Sequence, residues 1–167
     1  MDCLIGLGAH KGFGVPGESY LAVLDAMYDR SDKFNLILCR HEGGAAFMAE
    51  AWGKLTGMPG ICFVTRGPGA TNASIGIHTA MQNASPMLVF VGQVGTEMVG
   101  REAFQEIDYT QYCNNIAKWV CEINDVNRIP ELVARAWTTA LGGRPGPVVV
   151  ALPENMLRAR TSRPPCG

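Results

Sequence analysis

Four short stretches carry side chains that could do chemistry, at spacings that would gather them at one edge of a sheet. In the run R-H-E-G-G-A-A-F-M-A-E-A from Arg40 to Ala51, Glu42 directly follows an apolar stretch and opens a helical pattern of small and apolar residues. A carboxylate there stands at the carboxyl edge of a parallel sheet, where open α/β sheets bind ligands. A first-turn glutamate can also do no more than complement the helix dipole. His41 reads more readily as a hydrogen-bonded structural histidine than as a base. In T-R-G-P-G-A-T-N, Thr65 to Asn72, the glycines around Pro68 suggest a strand-to-helix turn, with Asn72 beginning the next helix and offering an amide that both donates and accepts. G-R-E-A-F-Q-E-I-D, Gly100 to Asp108, sets amide and carboxylate groups beside Phe104; its plainer reading is an exposed polar loop. Finally, Gly12 to Gly17 fits G-x-G-x-x-G, which in a dinucleotide site brings backbone N–H groups to a pyrophosphate. Pro16 removes one of those donors and the preceding residues make an indifferent strand, so a tight turn leading into a helix at Ser19 is the simpler account.

The elements that must position these groups are written in the hydrophobic pattern. Apolar runs at Leu36 to Cys39, Ile61 to Val64, Met87 to Val91 and Val148 to Leu152 have the length and continuity of strands buried on both faces. Between them, Tyr20, Val23, Leu24 and Met27, and again Ala45, Met48, Ala49 and Trp52, recur at the spacing of a helix face. A third helix is predicted from near Asp125, with Pro130 in its first turn and Gly142-Gly143 at its end. Alternating strands and helices predict a three-layer α/β/α fold around a central parallel sheet with right-handed crossovers. The opening helix is expected to be incomplete, because only a dozen residues precede Phe13. One domain is expected over residues 1–157, and the basic, Pro-rich residues 158–167 read as the start of an interdomain linker.

Composition narrows the function classes. The chain has 167 residues, 47% of them hydrophobic and 17% charged, enough for one domain that buries roughly 70% of its unfolded surface. A net charge of -1 gives no field for a phosphate backbone, so nucleic acid is not an expected partner. No apolar run approaches the roughly 20 residues of a membrane span, and no basic segment precedes the short apolar N-terminus, so a cytoplasmic location is expected. The six cysteines form no C-x-x-C pair and read as reduced, largely buried thiols rather than metal ligands.

In combination the segments are no longer generic. The order G-V-P-G-E, R-H-E-G-G-A-A-F-M-A-E-A, T-G-x-P-G, T-R-G-P-G-A-T-N, A-F-Q-E-I-D and G-R-P-G-P-V-V-V-A-L-P resembles the N-terminal, pyrimidine-binding domain of thiamine-diphosphate-dependent enzymes, in the acetolactate synthase and pyruvate oxidase group. The resemblance runs from about Phe13 to Leu157 and implies the thiamine-diphosphate-binding fold. It implies that Glu42 bonds a ring nitrogen of the cofactor's aminopyrimidine and so promotes deprotonation of the thiazolium carbon. It further implies that Val15, Pro16 and Gly17, together with Thr65, Pro68, Gly69 and Asn72, line the cofactor. By the same matching, Gln105 reaches the reacting end and Phe104 shapes a substrate channel. The implied activity is decarboxylation or carboligation of a 2-oxo acid, in at least a dimer. The motifs leave FAD open.

Two departures stand out. Arg66 occupies the place where the family pattern most often has serine, T-S-G-P-G. The G-D-G motif that, with an asparagine some way on, binds magnesium in the family is missing, so the resemblance puts Mg2+ and the diphosphate on another domain or chain. Two other classes stay open on the residues alone: a dinucleotide-binding module, and a non-catalytic assembly or regulatory domain of the same fold.

Overall fold

Along each central strand, successive side chains point to opposite faces, and both faces are apolar. Ile61, Phe63, Leu88, Phe90, Val148 and Val150 join one core, while Cys62, Val64, Met87, Val89, Val91 and Val149 join another. A sheet greasy on both sides has to be covered on both sides. The computed structural model, which describes residues 1–166, shows how this is done.

In chain order the elements are α1 (Asp2–Gly6), β1 (Lys11–Gly14), a 3-10 turn (Glu18–Tyr20) running into α2 (Leu21–Tyr28), β2 (Asn35–Leu38), α3 (Glu42–Thr56), β3 (Gly60–Thr65), α4 (Arg66–Asn83) and β4 (Met87–Gln93). After a 3-10 turn at Thr96–Met98 come α5 (Tyr109–Cys113), β5 (Trp119–Glu122), a turn at Val126–Arg128, α6 (Ile129–Leu141), β6 (Pro147–Pro153) and α7 (Glu154–Leu157). The six strands are all parallel, in the order β2-β1-β3-β4-β6-β5. α3, α4 and α5 cover one face; α1, α2 and α6 cover the other. This is the expected three-layer α/β/α fold.

All four strands predicted from apolar runs are present, although β2 is a partly exposed edge strand rather than one buried on both faces, and two more complete the sheet. β1 was obscured by its two glycines. A Cβ at Gly12 would stand 2.8 Å from Cζ of Phe34, and one at Gly14 would stand 2.7 Å from the Phe63 carbonyl oxygen. Bulky neighbours occupy the space that strand-forming side chains would need. β5 is an edge strand paired only with β6, and Arg135 lies over its Trp119 ring at 4.3 Å.

Another expectation is corrected. Thr65 to Asn72 is not a turn ahead of a helix: α4 starts at Arg66, so Pro68 sits in its first turn and Asn72 in its second. Proline is tolerated there because the N–H it lacks would have no intrahelical partner. α3 and α4 then pack at close range through small residues, a Cβ on Gly76 falling 2.5 Å from that of Ala46. Buried Glu50 of α3 accepts from Ser85 Oγ (2.7 Å) and Asn83 Nδ2 (3.0 Å), anchoring the end of α4.

The predicted third helix is α6, entered through a turn capped by Asp125. All six cysteines are free thiols; Cys3, Cys62 and Cys113 are buried, and burial pushes the thiols of Cys113 and Cys121 up to about 11. Residues 159–166 have no regular secondary structure and lie back on the domain, where the Cys166 N–H donates to Cys3 Sγ at 3.3 Å. Gly167, the end of the expected linker, lies outside the described residues. Among the described residues, no helix is long and apolar enough to cross a membrane.

Candidate functional site

The chain leaves β1 in one direction to form β2 and returns on its other side as β3, so a crevice opens between the carboxyl ends of β1 and β3. Gly17 and Thr65 meet across it. A Cβ on Gly17 would fall 2.4 Å from Cβ of Thr65, so only glycine lets the first turn come this close. The turn is pinned from below. The buried Tyr20 hydroxyl donates to the Val15 carbonyl, the Val15 N–H donates to the Phe63 carbonyl at 3.3 Å, and Ser19 Oγ lies 2.5 Å from Thr65 Oγ1. Burial raises the Tyr20 hydroxyl above the ordinary tyrosine range, which keeps it a neutral donor. Val15, Pro16, Gly17 and Thr65 are thereby brought together at the crevice.

Glu42 comes to the same edge from β2. His41 caps α3, its extended backbone at φ -154 and its Nδ1 accepting the Gly43 N–H at 3.0 Å, which is the structural role expected for it. Glu42 is then the first helical residue and half-buried. Its Oε2 accepts from Asn72 Nδ2 of α4 at 2.9 Å, while Oε1 makes no hydrogen bond among the described residues. Further along α3, Gly44 is exposed, with nothing within 4 Å of its Cβ position. The arrangement is a half-buried carboxylate held in direction by an amide from the neighbouring helix.

Pro68 is exposed in the first turn of α4, whereas Gly69 is buried with its Cβ position 3.2 Å from Val64 Cβ, so its observed contact is with β3. Phe104 and Gln105 lie on the loop after β4. Phe104 is 72% exposed, and a cavity of about 280 Å³ opens beside it, lined by Arg66, Val94, Gly95, Met98 and Glu154 among others. Gln105 is half-buried with φ 65, and its carbonyl accepts the Gly67 N–H at 2.9 Å. Glu106 staples the loop internally, accepting from the N–H groups of Gly100 (2.7 Å) and Ala103 (3.0 Å).

The residue that sequence reasoning missed is Gln93, 3% exposed at the end of β4. Its Oε1 accepts the Val94 N–H and its Nε2 donates to the Ile107 carbonyl, both at 3.0 Å, so it ties down the base of the loop. A lone amide closing the apolar run M-L-V-F-V-G-Q was the available signal. The G-x-G-x-x-G match, by contrast, forms no phosphate loop, since Gly12 and Gly14 lie inside β1 against Phe34 and Phe63.

The family model described as thiamine pyrophosphate enzyme, N-terminal TPP binding domain, matches residues 1–112. The chain is 42% identical over 152 residues to the mitochondrial acetolactate synthase catalytic subunit of Saccharomyces cerevisiae, covering 91% of this chain and 22% of that protein. It is 38% identical over 161 residues to the acetolactate synthase isozyme 3 large subunit of Escherichia coli (96% and 28%), and 37% identical over 162 residues to the acetolactate synthase of Bacillus subtilis (97% and 28%). The chain spans 22 to 28% of the length of these relatives. With a parallel sheet, a carboxylate at its carboxyl edge and this match over most of its length, the chain belongs to the thiamine pyrophosphate enzyme family, as its N-terminal TPP binding domain.

Proposed function

We propose that this domain is the pyrimidine-binding half of an enzyme that decarboxylates a 2-oxo acid or joins it to a second carbonyl compound, as an acetolactate synthase does. The observation that carries this reading is the Glu42–Asn72 pair at the carboxyl edge of the sheet. The residues fit a flat heterocycle: Asn72 holds the carboxylate, and the Val15–Gly17 turn and Thr65 form a wall held rigidly from below. Bound thiamine diphosphate would supply the electron sink for the decarboxylation. Glu42 Oε1 would meet a ring nitrogen and hold or pass a proton there, with Asn72 fixing the direction of the carboxyl group. Val15, Pro16 and Gly17 would offer backbone groups to the ring. Thr65, Pro68, Gly69 and Asn72 would position the beginning of α4 beside it. Gln105 and Phe104 would reach the substrate end of the cavity, where ring size selects the 2-oxo acid.

In this reading Mg2+ and the diphosphate are held by another domain or chain. Among the described residues no three His, Cys, Asp or Glu side chains stand together as a metal site. Association, at least as a dimer, is supported by apolar side chains left on the outer faces of α3 and α4, where Phe47, Leu55 and Ile75 are 41%, 85% and 58% exposed. Residues 158–167 would begin the connection to a further domain, and the free thiols suit a reducing compartment, the cytoplasm in this reading.

Titration calorimetry tests the composite site. With Mg2+ present, the 167-residue chain should bind thiamine diphosphate far more weakly than the enzyme assembled with its diphosphate-binding partner. Micromolar affinity in the chain alone would place the diphosphate site here and overturn the reading.

A further inference from the structure

The residue that departs from the T-S-G-P-G pattern stands where three chain segments meet. Arg66 opens α4, and its side chain is 12% exposed. Its Nη1 donates to the Phe104 carbonyl at 3.3 Å and lies 3.4 Å from Glu18 Oε1; its Nη2 reaches Glu154 Oε2 at 3.5 Å. Those partners belong to the turn before α2, the loop after β4, and α7, from which the chain leaves the domain. Glu154 is gripped from outside by Arg158 at 2.5 Å.

As a stabiliser of the domain, this arginine is poorly suited. Its backbone is left-handed at φ 46, and its Nε is buried without a hydrogen-bond partner. Both features are unfavourable for folding. Its two carboxylate contacts are also longer than the 2.7–2.9 Å of a good charge-assisted hydrogen bond. What the guanidinium does provide is a rigid fork, which lets one side chain hold a backbone carbonyl and two carboxylates in fixed directions.

We propose that Arg66 is a positioning residue that fixes Phe104 and Gln105 at the edge of the sheet, with Glu18 and Glu154 orienting the guanidinium, so that the chain leaving α7 is mechanically linked to the loop; this rests on the reading that Phe104 and Gln105 face the substrate. The backbone next door makes the matching contact. The Gly67 N–H bonds the Gln105 carbonyl at 2.9 Å, so two consecutive residues at the start of α4 hold two consecutive carbonyls of the loop. The approach leaves no slack, because a Cβ on Gly67 would stand 2.9 Å from that same carbonyl oxygen. With Glu106 stapling the loop internally, the grip at Phe104 moves the segment as one body.

Amide hydrogen exchange on the 167-residue chain reads the grip directly, independent of any activity. In Arg66→Ser and Arg66→Met, amides from Arg101 to Ile107 should exchange roughly tenfold faster while those of α6 keep their rates. Arg66→Lys, which keeps the charge without the fork, should fall between. If the shorter variants do not fold, Glu154→Gln tests the same linkage and should also speed the loop. In the assembled holoenzyme, Arg66→Lys should raise KM for the 2-oxo acid more than it lowers kcat. Unchanged loop exchange, or uniform acceleration across the whole domain, overturns the proposal. Faster loop exchange with an unaltered KM supports the grip and instead overturns the placement of Phe104 and Gln105 at the substrate.

Discussion

The side-chain amide of Asn72, in the second turn of α4, donates to Oε2 of Glu42, the first residue of α3, at 2.9 Å. Thirty residues separate them along the chain, and the contact exists because α3 and α4 lie side by side at the same edge of the sheet. One carboxylate oxygen is committed to holding the group still, and the other makes no hydrogen bond among the described residues.

Replacing Glu42 by Gln keeps the shape and the contact with Asn72 but removes the group that can take a proton. Exchange of the thiazolium C2 proton for deuterium in the assembled holoenzyme should slow by roughly 10²- to 10⁴-fold. Circular dichroism should be unaltered, since a first-turn carboxylate contributes only about 0.3–1 kcal/mol through the helix dipole. Normal exchange in a folded variant would return Glu42 to the dipole role.

Asn72→Ala leaves Glu42 in place but unaimed. The same exchange rate should fall by roughly tenfold, the equivalent of one hydrogen bond of about 1–1.5 kcal/mol. Combined with Glu42→Gln, the two losses should not add, because both act on one proton transfer. Strict additivity in that double-mutant cycle would separate Asn72 from the function of Glu42.

Phe104→Ala should change preference among 2-oxo acids rather than activation of the cofactor. With Phe104 72% exposed in the domain alone, its ring is free to meet a substrate or a partner. Ratios of kcat/KM between acids differing by one methylene should shift by an amount worth about 1–3 kcal/mol. A uniform loss for every acid would argue against a channel wall.

Gly17 and Gly44 should respond oppositely to alanine. At Gly17 the new Cβ would collide with Thr65 at 2.4 Å, and urea unfolding should show a loss of about 1–3 kcal/mol as the first turn is pushed off β3. At Gly44, within α3 and with nothing within 4 Å, alanine should stabilise by about 0.5–1 kcal/mol through its helix propensity.

Much of the molecule was legible from hydrophobic pattern alone. Four strands, three of them buried on both faces and the fourth, β2, a partly exposed edge, the faces of α2, α3 and α6, and therefore the layered architecture follow from short-range periodicity, which any sequence of this kind displays openly. The order of the motifs then pointed to Glu42. Where local rules competed with tertiary contacts, the sequence misled or fell silent. β1 looked weak because Phe34 and Phe63 demand glycines at positions 12 and 14. The T-R-G-P-G-A-T-N segment looked like a turn because glycine and proline punctuate chains in general, whereas here Gly67 and Gly69 serve close packing and Pro68 fits a first helical turn. The pairing of Glu42 with Asn72, the closure of Gly17 on Thr65, the burial of Gln93 and the grip of Arg66 on Phe104 were decided only by the fold. Apart from Gln93, which holds the loop leaving its own strand, each joins residues from different strand ends, and the distance between two strand ends is set by sheet order, which is a property of the whole chain and not of any window within it.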